Sequence, residues 1–190
     1  MTETKTGVRT AIASMRRAVR KGVSLIEIAM GLSIIAVVGA GALFYFNNAQ
    51  VSSRTNEAMQ QLSSLQEIIR TLYQSAGNYS GLNAQVIAGS SLLAPRYRIG
   101  TLDSPEGVRS PFGSRVTFAS VTNDTEFEIT MENVPAAACQ RLATIDLGSG
   151  LRQIRVGNNN DPVTGGRGLT PTEANQQCAS TGSNITWRFS

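Results

Sequence analysis

Histidine is absent from this 190-residue chain, and no lysine follows Lys21. The first absence excludes histidine-dependent nucleophilic triads and histidine-containing zinc sites. The second leaves no lysine to serve a serine–lysine hydrolase in the body of the chain. Cysteine is scarce too: Cys139 and Cys178 stand alone, too few to close a structural zinc site. No nucleophile–base set is visible, so a membrane-anchored periplasmic enzyme is the remote reading, and neither cofactor nor metal is expected.

The charge is concentrated at one end. Residues 1–22 hold Lys5, Arg9, Arg16, Arg17, Arg20 and Lys21 against Glu3, a net +5, so the +4 of the whole chain leaves −1 for the remainder. A basic tail on a near-neutral body does not describe a nucleic-acid-binding domain, and no nucleic-acid partner is expected. It describes a segment held on the cytoplasmic side of a membrane. The length suits one domain with a core of its own.

Val23–Phe46 is the long apolar block, and its last 19 residues, Ile28 to Phe46, carry no charge. At about 1.5 Å per residue such a helix spans roughly 30 Å, the hydrocarbon thickness of a bilayer. Phe44, Tyr45 and Phe46, followed by Asn47 and Asn48, fit the outer interface. The helical pattern then continues with one apolar stripe: Val51, Thr55, Ala58, Leu62, Leu65, Ile69, Leu72 and Ala76. Arg54, Asn56, Gln60, Gln61, Ser64, Gln66 and Arg70 fall mainly off it. Gly77-Asn78 supplies a stop. One helix is therefore predicted from about Val23 to Ala76, on the order of 80 Å long.

After Gly77 the composition turns to glycine, asparagine, serine and proline with short β-type runs. Strands are predicted at Tyr97–Ile99, Arg115–Val121, Glu126–Met131, Leu151–Val156 and Ile185–Phe189. Glu126–Met131 alternates polar and apolar, as a sheet with one wet face requires. Pro135 to Ala143 reads as a short helix with proline in its first turn, and Gly157–Gly168 as a polar loop. The fold class is α+β: a long N-terminal helical spine whose second half packs on an antiparallel sheet. The division is 1–22, a basic leader; 23–50, an apolar helix; and 51–190, a globular domain.

Two cysteines in a chain that crosses a membrane suggest a disulfide in an oxidising compartment, with a pair of buried free thiols as the alternative. Glu27 is costly near the start of a membrane helix and has no basic neighbour on that helix. A Glu that reaches the interface or stays protonated is one account of it. The other is that cleavage after Gly22 creates an α-amino group at Val23, four residues from the Glu27 carboxylate. In a stack of identical helices, the amine of one copy then neutralises the carboxylate of another. No small-x-small signal-peptidase site follows the apolar run, which leaves an uncleaved anchor as the plain alternative.

Arg20-Lys21-Gly22-Val23-Ser24-Leu25-Ile26-Glu27 and the apolar run behind it resemble the N-terminal signature of type IV prepilins. The resemblance implies that a membrane aspartyl peptidase cuts between Gly22 and Val23 on the cytoplasmic side. It implies that Val23 is then N-methylated and that Glu27, the fifth mature residue, sets assembly register. The 22-residue leader and the mature Val resemble the type IVb group, which includes bundle-forming, toxin-coregulated and thin conjugative pilins. Tyr73 to Leu82 looks like that group's loop after the long helix, and Ile129 to Leu142 like its strand and helix carrying the first cysteine. A Cys139–Cys178 disulfide tying the C-terminal region to the sheet is what the family implies. Proline, common within the apolar helix of pilins, is missing here; Gly31, Gly39 and Gly41 are its weak points.

The resemblance implies a major subunit of a homopolymeric fibre serving adhesion, aggregation or conjugation, with a minor pilin or type II secretion pseudopilin as alternatives. The implied partners are other copies, the prepilin peptidase, the inner-membrane assembly platform with its ATPase, and a recipient or host cell surface. The implied location is the inner membrane of a Gram-negative cell with the domain in the periplasm, then the extracellular fibre. Asn158 to Asp161 lacks an EF-hand pattern and reads as a solvated turn. The glycosylation triplets at Asn123 and Asn184 carry no weight. Arg152 and Arg155 read as a solvated sheet face.

Overall fold

The computed structural model describes residues 24–148, 150–157, 163–164, 166–179 and 182–190. The Gly22–Val23 join and Asn158–Asp161 lie outside them. The chain divides into two compact units, one ending at Tyr45 and one from Phe46 to Ser190.

Helix α1 spans Leu25–Tyr73, 49 residues. It stops three residues short of the predicted Ala76: Ala76 N–H bonds Tyr73 O at 3.1 Å in a turn, and Gly77 takes φ +70°. Leu72, still within the helix, and Ala76, beyond it, are exposed and not part of the buried stripe. From Thr55 to Ile69 the stripe is buried, through Ala58, Leu62 and Leu65. Ile68 joins it, and so does Gln61, which the sequence places off the stripe. A buried amide needs a partner, and Gln61 Nε2 donates to Arg109 O at 2.7 Å.

Helix α2, Ala84–Gly89, is a short element beyond those predicted. Asn83 caps it, its side chain accepting from Val86 N–H at 3.0 Å. At the other end Arg98 donates to Ala88 O at 2.6 Å and Ser90 O at 2.9 Å, meeting carbonyls that a helix end leaves unpaired. A 3-10 turn, Pro95–Tyr97, takes Tyr97 out of the predicted strand. The Tyr97 hydroxyl donates to Glu57 Oε1 at 2.9 Å. Burial first, and that bond second, push its pKa above the ordinary tyrosine value.

The strands among the described residues are β1 (Arg98–Gly100), β2 (Pro105–Arg109), β3 (Arg115–Val121), β4 (Glu126–Val134), β5 (Leu151–Val156), β6 (Val163–Thr164) and β7 (Ser183–Phe189). They form one sheet in the order β1-β2-β3-β4-β7-β5-β6, with antiparallel pairing at each step. β3 and β5 match the predicted ranges. β2 and β6 are additions, β6 lying inside the predicted polar loop. Helix α3 (Ala136–Ala143) follows Pro135, whose carbonyl accepts from Cys139 N–H at 2.8 Å. Helix α4 (Pro171–Gln177), also an addition, starts from a capping box between Thr170 and Glu173.

The last strand, β7, inserts between β4 and β5. Its Ile185, Trp187 and Phe189 join Phe127, Ile129 and Met131 of β4 and Leu151, Ile154 and Val156 of β5 on one face. These residues and the α1 stripe form a single buried cluster. Pleating turns Glu128, Thr130, Thr186 and Arg188 to the other face. That is the one-wet-face sheet implied by the alternation in β4.

Candidate functional site

The apolar half of α1 begins where Ser24 O accepts from Glu27 N–H (2.9 Å) and Ile28 N–H (3.2 Å). Glu27 therefore lies in the first helical turn, where unpaired amides favour a carboxylate. Among the described residues no ion pair reaches it.

Around and beyond Glu27 the helix exposes, among the described residues, twelve large apolar side chains, from Leu25 (87% exposed) to Phe46 (63%). The helix is long and apolar enough to cross a membrane, and none of its most apolar window is buried among the described residues. At about 2 kcal/mol per side chain, covering this surface is worth on the order of 20 kcal/mol before entropic costs. Gly31, Gly39 and Gly41 have open space where a Cβ would stand, so among the described residues nothing requires them to be glycine. An apolar cylinder with one carboxylate can do two things chemically. It can dissolve in lipid or pack against other apolar helices, and in either setting the carboxylate seeks a cation.

In the unit from Phe46 onward, Cys139 on α3 and Cys178 at the end of α4 form a disulfide with Cα atoms 5.8 Å apart, both side chains buried. The loop after α1 is fastened by aromatic contacts: Tyr73–Tyr79 (5.7 Å between centroids), Tyr79–Phe127 (4.7 Å) and Phe127–Phe189 (5.3 Å). Tyr79 N–H also bonds Asp124 O at 2.8 Å. Burial raises the Tyr73 pKa above its ordinary value.

A cluster that sequence reasoning missed lies on the polar sheet face. Glu128 on β4 receives Arg188 Nε and Nη2 from β7 (2.9 and 2.6 Å) and Arg155 Nη2 from β5 (2.9 and 3.0 Å). Arg155 is thus ion-paired across strands rather than solvated; Arg152 is exposed, as expected. The one legible signal was an acidic residue at a polar position of an alternating strand; its partners lie 27 and 60 residues away. A shallow groove of about 480 Å³ runs along α1 beside Leu92, lined by Ser63, Ser64, Glu67, Ile68 and Thr71. Its lone titratable group is Glu67, so it holds no nucleophile–base–orienter set.

Comparison with known proteins gives one consistent result. The family model described as Bundlin matches residues 47–188. The major structural subunit of bundle-forming pilus from Escherichia coli O127:H6 is 31% identical over 182 residues, covering 89% of this chain and 93% of that one. Toxin coregulated pilin of Vibrio cholerae is 28% identical over 130 residues, 66% of this chain and 57% of that one. The crystal structure of a type IV b pilin from Salmonella typhi superposes with a TM-score of 0.56 at 16% identity, covering 70% of this chain and 97% of that one. This last match speaks to the fold alone.

Proposed function

The chain belongs to the Bundlin family of type IVb pilins, and from that premise we propose that it is a precursor cut between Gly22 and Val23 and polymerised through Val23–Phe46 into an extracellular fibre. Before assembly the apolar helix anchors it in the inner membrane, with the body from Phe46 in the periplasm. A prepilin peptidase removes the basic leader, and the new Val23 amine is methylated. An assembly platform and its ATPase draw the subunit out of the bilayer. Lateral packing of the apolar helices drives the process. The Val23 amine of one copy meets the Glu27 carboxylate of another and sets register, because an unpaired carboxylate in that apolar surrounding is costly.

One observation carries this reading: a membrane-length helix with its apolar surface uncovered and a lone carboxylate in its first turn. The relative matched over nearly its whole length is named as a major subunit, which favours the major over a minor role. Glu27→Ala is expected to leave the amount of protein near normal and to abolish fibres in electron micrographs. Normal fibre yields from that variant would refute the register role. Mass spectrometry of sheared fibres is expected to give an N-terminus at methylated Val23. Fibres that retain Met1–Gly22 would refute the cut.

A further inference from the structure

Strand β2 carries opposite charge at its two ends. It enters from the turn 101–104, where Leu102 is 49% exposed and Asp103 is exposed, and Glu106, its second residue, is exposed as well. It leaves into the turn 110–114, where Phe112 is half-buried between the exposed Arg109 and Arg115. Those two arginines are register partners on β2 and β3. Like charges directly opposite each other destabilise a strand pair. Among the described residues none of the four charged groups has an ion-pair partner.

Both turns are closed by internal hydrogen bonds. In the first, Thr101 N–H bonds Ser104 O and Ser104 N–H bonds Thr101 Oγ1, each at 3.1 Å. Gly100 at φ +84° has no room for a Cβ beside Ser104 O. In the second, Ser110 N–H bonds Ser114 O at 2.8 Å, and the hydroxyls of Ser110 and Ser114 are 2.8 Å apart. The Ser114 hydroxyl in turn donates to Glu132 O. Each turn, with the strand residues beside it, thus brings together one apolar side chain and two like charges. The two groupings lie at opposite ends of a five-residue strand, roughly 13 Å apart.

Two different, complementary patches on one molecule make a heterologous, head-to-tail contact, which builds a filament where the rotation between copies does not close into a ring. We propose that the acidic Leu102–Glu106 end of one copy docks on the basic Arg109–Arg115 end of the next, carboxylates to guanidiniums and Leu102 against Phe112. This rests on the polymer reading above. Charge complementarity of this kind fixes register and rejects misaligned neighbours.

The test uses the full chain in cells with a working assembly apparatus. The variant R109E/R115E has carboxylates at both ends, and D103R/E106R has arginines at both. Each alone is expected to lower sheared fibre yield at least about tenfold, while protein level and melting temperature stay near wild type. Co-expressed, the two are expected to recover at least about half the wild-type yield, because alternating copies restore every contact. The four-fold swap D103R/E106R/R109E/R115E is expected to recover similarly. Single reversals that assemble normally would overturn the proposal while leaving the polymer reading intact. So would single reversals that fail and are rescued by neither route. A wild-type chain that forms no fibre would overturn both.

Discussion

Glu128→Gln keeps the shape of the side chain and removes its charge. In the folded protein that carboxylate is 12% exposed and accepts from Arg155 and Arg188, which are 35% and 28% exposed. A charge-assisted hydrogen bond is worth about 1.5–3 kcal/mol, and partial exposure of both guanidiniums reduces this toward about 1 kcal/mol per arginine. The variant also leaves two cations side by side with no anion. The expected loss is about 2 kcal/mol, which in a chain of this size lowers the melting temperature by about 4–8 °C. The assay is a thermal melt of the detergent-solubilised chain followed by near-ultraviolet circular dichroism. Trp187, on the buried face of the same strand as Arg188, supplies the signal. Replacing all three charges, as E128M/R155M/R188M, is expected to cost under about 1 kcal/mol, because no uncompensated charge remains. A Glu128→Gln melt within about 1 °C of wild type would show that the three strands are held by their buried face alone.

Further perturbations address other parts of the body. Gly168→Ala would place a Cβ 2.7 Å from Thr144 O and 2.9 Å from Ile145 O, backbone atoms that cannot swing aside, and is expected to cost about 2 kcal/mol, read as a melting temperature lower by about 4–8 °C. Reduction of Cys139–Cys178, which closes a 39-residue separation, is expected to cost up to about 4 kcal/mol and to lower the melt by about 8–16 °C; a shift under about 3 °C would contradict the loop-closure account. The backbone N–H of Thr170 first, and its hydroxyl second, hold the Glu173 carboxyl below its usual pKa. A depressed carboxylate stabilises the fold above its unfolded pKa and ceases to do so as pH falls through the folded one. The α4 cap is therefore expected to persist at neutral pH and to loosen in acid, below the ordinary carboxylate range, as followed by the Thr170 amide resonance; Glu173→Gln should abolish that pH dependence.

The amino-acid order alone determined the features that depend on neighbours a few residues apart. The basic leader, the uncharged run from Ile28 to Phe46 and the lone Glu27 need no fold to be seen. The 3.6-residue period located α1 to within a few residues, short β-type runs located β3 and β5, and the two-residue alternation located most of β4. Gln61 broke the pattern because its partner, Arg109 O, is 48 residues away. β2 was hidden because Pro105 and Gly107 weaken a strand; it survives next to the sheet edge, with Pro105 paired to Gly100 at a bulge. The α4 capping box, Thr170 to Glu173, was legible in principle but lay in front of a helix too polar to show a stripe. Tertiary structure alone decided that β7 inserts between β4 and β5, that Glu128 gathers two arginines, and that Arg109 pairs opposite Arg115. The reason is physical: periodicity is a property of consecutive residues, whereas strand order and ion pairing are set by which distant segments can share one buried face.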